Sequence, residues 1–229
     1  MNIVSSKSTV APFIEIKGEN QEEIDKAESA LKKIKSGRNG SELLKRLNNL
    51  SNGDRTVTIE VDDSRRSHNI PFLTKSQLKK FNIDPEDLKA SNDKATEISQ
   101  RKGFLRNGEG VSSLVKFNPD YFVRVNEHGT HLYTMEKNSS FVMLAHELVH
   151  AYRLMKGSDY GFDGSEKPGI REAKEERRVM GTDEFSNKLI SENGIRKDHG
   201  IHLRKQHKTE HDWNQIHWMN EMSRRERGY

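Results

Sequence analysis

The stretch FVMLAHELVHAYRLM, residues Phe141–Met155, decides how the rest of this chain is interpreted. Its central residues His146, Glu147 and His150 form the pattern H-E-x-x-H. Two residues four apart on an α-helix lie about 40° apart around the axis and roughly 6 Å apart along it. Both imidazoles can therefore bind one tetrahedral zinc ion, with Glu147 close enough to take a proton from a water at the metal.

Apolar side chains surround this motif instead of forming one stripe, which is typical of a buried central helix. Burial of two histidines and a glutamate is costly unless they are hydrogen-bonded or bound to a metal. One alternative is a pair of core histidines satisfied by hydrogen bonds alone. We favour a metal site, and the motif by itself leaves that site one ligand short.

A catalytic zinc site needs a third protein ligand and one open position. Because the chain has no cysteine, the third ligand must be Asp, Glu or His. The helix predicted at residues 170–180 offers Glu172, Glu175 and Glu176. We interpret Glu172 as part of a solvated acidic face. Helical periodicity does not choose between Glu175 and Glu176.

An inverted zinc pattern, H-x-x-E-H, occupies residues 207–211. Its neighbours are charged or polar, so nothing there would bury a helix or exclude water. We therefore predict a solvated segment and a single zinc site. The remaining histidines lack ligand spacing and are interpreted as surface or turn residues: His68, His128, His131, His199, His202 and His217.

Composition indicates one polar domain. Hydrophobic residues make up 31% of the 229 residues and charged residues 32%, against a usual apolar share of about 45–50%. The net charge of +4 is too balanced to indicate a nucleic-acid partner, and no apolar run reaches the length of a membrane span. We expect residues 1–12 to be a disordered export segment and residues 13–229 to form one catalytic domain, active as a monomer.

Periodicity predicts an α+β fold, mostly helical, with a small sheet of short strands beside the helix at 141–155. Alternating apolar residues predict strands at 13–16, 56–61, 114–117, 122–125 and 131–135. Apolar stripes and end signals predict helices at 21–34, 41–50, 74–81, 85–100, 141–155, 170–180 and 184–192. The last of these is expected to stop at Asn193-Gly194.

Three blocks of sequence resemble a known family. They are HELVHAYRLMKG at 146–157, EERRVMG at 175–181 and SENGIR at 191–196. In this order they resemble the NleD-like effector proteases of type III secretion, peptidase family M91, and look like a shortened clostridial neurotoxin light-chain zinc site. The resemblance lies mainly in residues 140–207, and it implies a compact zincin-like metalloprotease.

The resemblance also implies roles for individual residues. The second glutamate of the pair, Glu176, would bind zinc, and Glu175 would orient a histidine or the ligand set. The neurotoxin pattern continues with R-x-x-Y, whose members stabilise the oxyanion; here the corresponding residues are Arg204 and His207, so the tyrosine is replaced by histidine. Arg196 is expected to be structural, paired with Glu175 or Glu192.

These observations lead to a zinc-dependent endopeptidase. His146, His150 and Glu176 would hold Zn²⁺, with Glu147 as the general base and Arg204 donating to the oxyanion. The resemblance implies delivery by type III secretion into the host cytoplasm, where related proteins cut stress-activated MAP kinases in the activation loop. The absence of cysteine and of a hydrophobic secretory core is consistent with that route.

The basic segment from Arg196 to Lys208 is the expected contact for an acidic kinase surface. The same segment supports a rival hypothesis from another class. In it, zinc is purely structural, and the chain is a non-catalytic binding module that docks an acidic partner through its basic C-terminal region. The two hypotheses differ in whether Glu147 has a chemical task.

Overall fold

The computed structural model describes residues 3–62, 66–101, 106–129, 131–134, 139–160 and 168–205. The strands in these ranges are β1 (Val4–Lys7), β2 (Ile14–Gly18), β3 (Val57–Val61), β4 (His68–Phe72), β5 (Ser112–Phe117), β6 (Phe122–Val125) and β7 (His131–Thr134). The α-helices are α1 (Gln21–Ser36), α2 (Arg38–Leu50), α3 (Lys75–Phe81), α4 (Leu88–Ser99), α5 (Phe141–Met155), α6 (Pro168–Met180) and α7 (Glu192–Asp198).

Five strands form one mixed sheet in the order β1-β2-β3-β5-β4. The three central strands run parallel, and the two edge strands pair antiparallel with their neighbours. Parallel neighbours require a crossover, which α1 and α2 supply between β2 and β3, and α3 and α4 between β3 and β5. β6 and β7 form a separate antiparallel hairpin. The predicted α+β class is confirmed.

Helix α5 lies in the middle of the molecule. It packs against β4 and β5 of the sheet on one side and against α1, α2 and α7 on another. Every residue of α5 except His150 is buried. The predicted buried central helix is confirmed, and the H-E-x-x-H residues lie inside the main core. None of the described helices has the length and apolar character needed to cross a membrane.

Both edge strands were missed by the periodicity analysis. β1 lies within the segment expected to be disordered, so that expectation is wrong for residues 4–7. Its sequence VSSK is polar, but the backbone pairs with β2, and Ser5 Oγ donates to Glu15 Oε1 at 2.6 Å. β4, with the sequence HNIPF, lacks alternation and contains Pro71. An edge strand tolerates proline because it has neighbours on one side only.

The helix predicted at 184–192 is wrong. Residues Asp183–Phe185 form one turn of 3-10 helix, and α7 begins only at Glu192. Asn193-Gly194, expected to stop a helix, belongs to the first turn of α7, where the Ser191 side chain caps Gly194 N. Gly194 is needed because a Cβ there would lie 1.9 Å from the main-chain oxygen of Leu189. The glycine thus serves close packing at a helix start.

The start of α2 is capped by a residue distant in sequence. Its N-cap position, Gly37, offers no side chain. Asp198, at the end of α7, takes that role: Oδ2 accepts from the main-chain nitrogens of Asn39 at 2.6 Å and Gly40 at 3.4 Å. A Cβ at Gly37 would lie 2.6 Å from the same oxygen. The cap fixes α7 against α2.

Asp198→Ala should lower the free energy of unfolding by about 1 kcal/mol, the usual cost of removing an N-cap carboxylate. Urea unfolding followed by circular dichroism measures the effect. Asp93→Ala is the matched control, because Asp93 is exposed on the surface of α4 and pairs there with the exposed Lys89. Equal stability losses in the two variants would contradict a capping role for Asp198.

Candidate metal centre

Helices α5 and α6 bring three metal-binding side chains together. His146 and His150 project from α5, and Glu176 projects from α6. The two Nε2 atoms are 3.2 Å apart. Glu176 Oε2 lies 3.4 Å from His146 Nε2, and its Oε1 lies 3.2 Å from His150 Nε2. The structure thus brings together the two histidines and the glutamate that the resemblance indicated.

These separations fit a tetrahedral metal ion. With ligand distances of about 2.0–2.1 Å, the donor atoms of a tetrahedral zinc site are about 3.3–3.4 Å from one another. The Nε2–Nε2 separation of 3.2 Å lies close to that value, and each Glu176 oxygen lies 3.2–3.4 Å from a different histidine nitrogen. His146 is buried, whereas His150 and Glu176 are partly exposed. The donor set therefore fits zinc and has a solvent-facing side, as a catalytic site requires.

The tautomer of His146 is fixed from behind by α7. Its Nδ1 lies 2.8 Å from Glu192 Oε2. A carboxylate accepts, so Nδ1 carries the hydrogen and Nε2 keeps the lone pair that a metal ligand needs. Glu192 is fully buried. Sequence reasoning considered Glu192 only as a possible partner of Arg196 and missed its contact with His146.

Two arginines hold the Glu192 carboxylate in its ionised form. Arg196 Nε donates to Oε1 at 2.7 Å, and Arg204 Nη1 donates to Oε2 at 2.7 Å. Burial opposes ionisation, but these cations outweigh it and hold the pKa of Glu192 well below its usual range. Arg196 is structural, paired with Glu192. Arg204 is 5% exposed and sits behind His146, where its guanidinium contacts Glu192.

Asn193 supports the same arrangement through the main chain. Its side-chain oxygen accepts from Arg204 N at 2.9 Å, and its nitrogen donates to Arg204 O at 2.8 Å and to Gly181 O at 3.3 Å. It thereby connects α7 to the end of α6 and to the segment at 201–205. The signal in the sequence was the block SENGIR, in which a glutamate, an asparagine and an arginine share one short helix.

Glu147 lies beside the three donor side chains. It is 8% exposed, and its main-chain oxygen accepts from Asn69 Nδ2 of β4 at 3.2 Å. Burial raises the pKa of Glu147, while His146 and His150 lower it. A raised carboxyl pKa suits a general base that must take up and then release a proton near neutral pH.

The carboxylates around His146 and His150 favour the protonated form of both imidazoles. Burial acts to lower the pKa of His146, but Glu176 and Glu192 outweigh it and raise the pKa to about 10. Burial likewise opposes the charged form of His150, and Glu176 raises the pKa of that residue. A divalent cation can replace the protons that such a cluster attracts. The charge therefore fits a metal as well as the distances do.

Glu175, the alternative third ligand, is held by an arginine and not by the Nε2 atoms of the two histidines. Arg153 of α5 donates hydrogen bonds to both Glu175 oxygens. Its Nε donates to Oε1, and its Nη2 donates to Oε2 at 2.7 Å. Glu175 Oε1 is 4.0 Å from His150 Nδ1. The geometry places Glu176, and not Glu175, at the histidine pair.

The other candidate residues are placed as follows. His207 and the inverted motif at 207–211 lie outside the described residues, as does His217. His68, His128 and His202 are exposed, as expected. His199 is only partly exposed: its ring packs edge-on against Phe141 at 4.8 Å, so it is not a simple surface residue.

Comparisons with known proteins identify the family of the chain. A model of peptidase family M91, described as effector proteins, matches residues 11–207. No curated protein matches the sequence. The catalytic domain of Clostridium botulinum neurotoxin serotype F is similar, with a TM-score of 0.44 and 18% identity over 76% of this chain and 46% of that chain. The serotype F light chain has a TM-score of 0.36 and 19% identity, over 58% of this chain and 35% of that chain.

The chain thus spans less than half the length of the two neurotoxin chains. The family model, in contrast, matches most of it, from the residue after Val10 to His207, and includes all three blocks recognised in the sequence. The chain belongs to peptidase family M91, a family of effector proteins.

Proposed function

We propose that this effector peptidase is a zinc-dependent endopeptidase. The observation that carries the proposal is the convergence of His146, His150 and Glu176 beside the buried Glu147: the two Nε2 atoms are 3.2 Å apart, and the two oxygens of Glu176 each lie 3.2–3.4 Å from one of them. The three donors would hold zinc. When bound there, zinc polarises the scissile carbonyl and lowers the pKa of the attacking water.

The chain's own residues then divide the remaining work. Glu147 accepts a proton from the attacking water and returns it to the leaving amine nitrogen. Glu192 keeps the Nδ1 hydrogen of His146 in place, so that Nε2 stays available to the metal. Arg204 remains the candidate for stabilising the oxyanion, together with His207. Arg204 would have to act from its position at Glu192, because its side chain is buried there.

The proposed substrates are host signalling proteins. Membership of an effector family supports action on host proteins. The resemblance to the NleD-like proteases supports stress-activated MAP kinases, cut in the activation loop, as the targets. We further propose that the protein is delivered by type III secretion and acts as a monomer in the host cytoplasm.

The basic segment expected to contact the kinase is smaller than the sequence indicated. Arg196 and Arg204 are buried against Glu192, so neither forms part of an exposed basic surface. Lys197 and Lys205 are exposed, and Lys208 lies outside the described residues. Lys205 packs over Gly129 in the turn between β6 and β7. Because Lys205 is exposed and directly follows Arg204, we propose it as a contact for an acidic substrate surface.

Glu147→Gln should reduce kcat for peptide cleavage by about 10²–10⁴-fold, the usual contribution of a general base, and leave zinc bound. Fragment analysis by mass spectrometry and metal analysis of the purified variant measure both effects. Glu97→Gln, an exposed glutamate on α4, is the control. Activity that survives Glu147→Gln would favour the rival binding module, in which Glu147 has no chemical task.

Removal of zinc should abolish cleavage and lower stability. Zinc at about 100 times its Kd should raise the free energy of unfolding of the metal-free protein by about 2.7 kcal/mol, because it binds only the folded site. Thermal unfolding with and without zinc measures this gain. Glu176→Gln should lose most of the response, and an unchanged response in that variant would exclude Glu176 as the third ligand.

Lys205→Glu should raise KM for a whole kinase by about two- to fivefold, as expected for an exposed charge pair, without changing KM for a short peptide. Progress curves for both substrates measure the difference. Lys79→Glu, an exposed lysine on α3, serves as the control for net charge. Equal losses on kinase and peptide would show that Lys205 does not recognise the protein substrate.

A further inference from the structure

A buried arginine lies one helical turn beyond the second histidine of the metal motif. Arg153 follows His150 by three positions on α5 and is 5% exposed. Its guanidinium contacts Glu175 of α6 at two points, and Nη2 also donates to the main-chain oxygen of Ser158 at 2.5 Å. Arg153 thus joins α5, α6 and the turn that follows α5.

Glu175 is fixed by contacts of its own within the same part of the core. It is 7% exposed, and Oε2 accepts from the main-chain nitrogen of Tyr160 at 3.1 Å as well as from Arg153. Oε1 faces the ring of His150, 4.0 Å from Nδ1. Both oxygens of Glu175 are therefore engaged within the wall of the metal centre.

The placement of the pair indicates more than a contribution to stability. A buried ion pair gives an uncertain net gain, because desolvation of both charges offsets their attraction. A planar guanidinium fork, however, matches a carboxylate in one orientation, whereas an apolar contact fixes no direction. The Arg153–Glu175 pair therefore defines how α6 is rotated against α5.

That rotation determines the position of the next residue. Successive residues on an α-helix point about 100° apart around the axis. With Glu175 directed at Arg153, Glu176 is directed at the two histidines, where its oxygens lie 3.4 Å from His146 Nε2 and 3.2 Å from His150 Nε2. A small rotation of α6 would move Glu176 away from both donors.

We propose that Arg153 is a positioning residue of the metal centre. By holding Glu175, it sets the rotation of α6 at which Glu176 completes the ligand set, and it keeps Glu175 itself from acting as the ligand. Its consequence for catalysis rests on the proposed function, but its consequence for metal affinity can be measured without any substrate.

The test is the paired variant Arg153→Met/Glu175→Gln, which removes both charges and leaves no buried charge without its partner. Zinc affinity, measured by competition with a chromogenic chelator, should fall about 10–100-fold, as for other residues that orient metal ligands. The metal-free variant should unfold near the denaturant midpoint of the wild-type protein. In peptide cleavage, kcat should fall and KM should stay unchanged.

The matched control is Arg177→Met/Glu184→Gln. Arg177 and Glu184 form a second two-point pair, also anchored on α6, with separations of 3.3 and 3.1 Å, but on the exposed surface. Zinc affinity should stay at the wild-type value in this variant. If removal of any arginine–glutamate pair from α6 weakened the site, zinc affinity would fall in both double variants.

Wild-type zinc affinity in the folded Arg153→Met/Glu175→Gln variant would overturn the proposal. Should that variant not fold, Arg153→Lys decides, since it keeps the charge and loses the fork: reduced zinc affinity supports the proposal and full affinity overturns it. If the wild-type protein binds zinc but cleaves no protein, the endopeptidase proposal fails while this inference stands.

Discussion

Burial of α5 requires each polar side chain on it to find a partner in another element. A buried polar group without a partner costs about 1–3 kcal/mol, and a charged one costs more. His146 therefore meets Glu192 of α7, and Arg153 meets Glu175 of α6. Asn69 of β4 reaches the main chain of the same helix. These contacts orient α6, α7 and β4 around α5, so the geometry of the metal centre follows from how the core satisfies one helix.

The sequence predicted those elements whose information is local. The parallel strands β2, β3 and β5 alternate apolar and polar residues, α1 and α2 carry an apolar stripe, and α5 is apolar on all sides, so local patterns predicted all six elements. β1 and β4 owe their conformation to pairing with a neighbour, which polar edge sequences do not record. The misplaced helix at 184–192 has a similar cause, because Asn193-Gly194 is a stop signal locally and a packing requirement in the fold.

The residues of the metal site also fall into those that the local sequence predicts and those that depend on tertiary contacts. His146, Glu147 and His150 were predicted from a spacing within one helix, and the structure brings the two histidines together with Glu176. Periodicity left Glu175 and Glu176 open, and the family resemblance indicated Glu176; the structure adds that Arg153, 22 residues away in the chain, engages Glu175. Arg153 is the one charged residue at the end of an apolar helix, and its burial was the available signal. Only the tertiary arrangement shows which of two adjacent glutamates the arginine engages.

The distribution of charge explains why two arginine-bound carboxylates belong beside a metal site. Glu192 is matched by Arg196 and Arg204, and Glu175 is matched by Arg153. Glu147 and Glu176 are the carboxylates that adjoin the histidines themselves, and their two negative charges equal the charge of one divalent cation. Because three arginines face Glu192 and Glu175, these two carboxylates add no net negative charge at the metal position, and Glu147 and Glu176 supply the charge that a bound cation would meet. Loss of one arginine would therefore change the charge that the metal experiences as well as the orientation of its ligands.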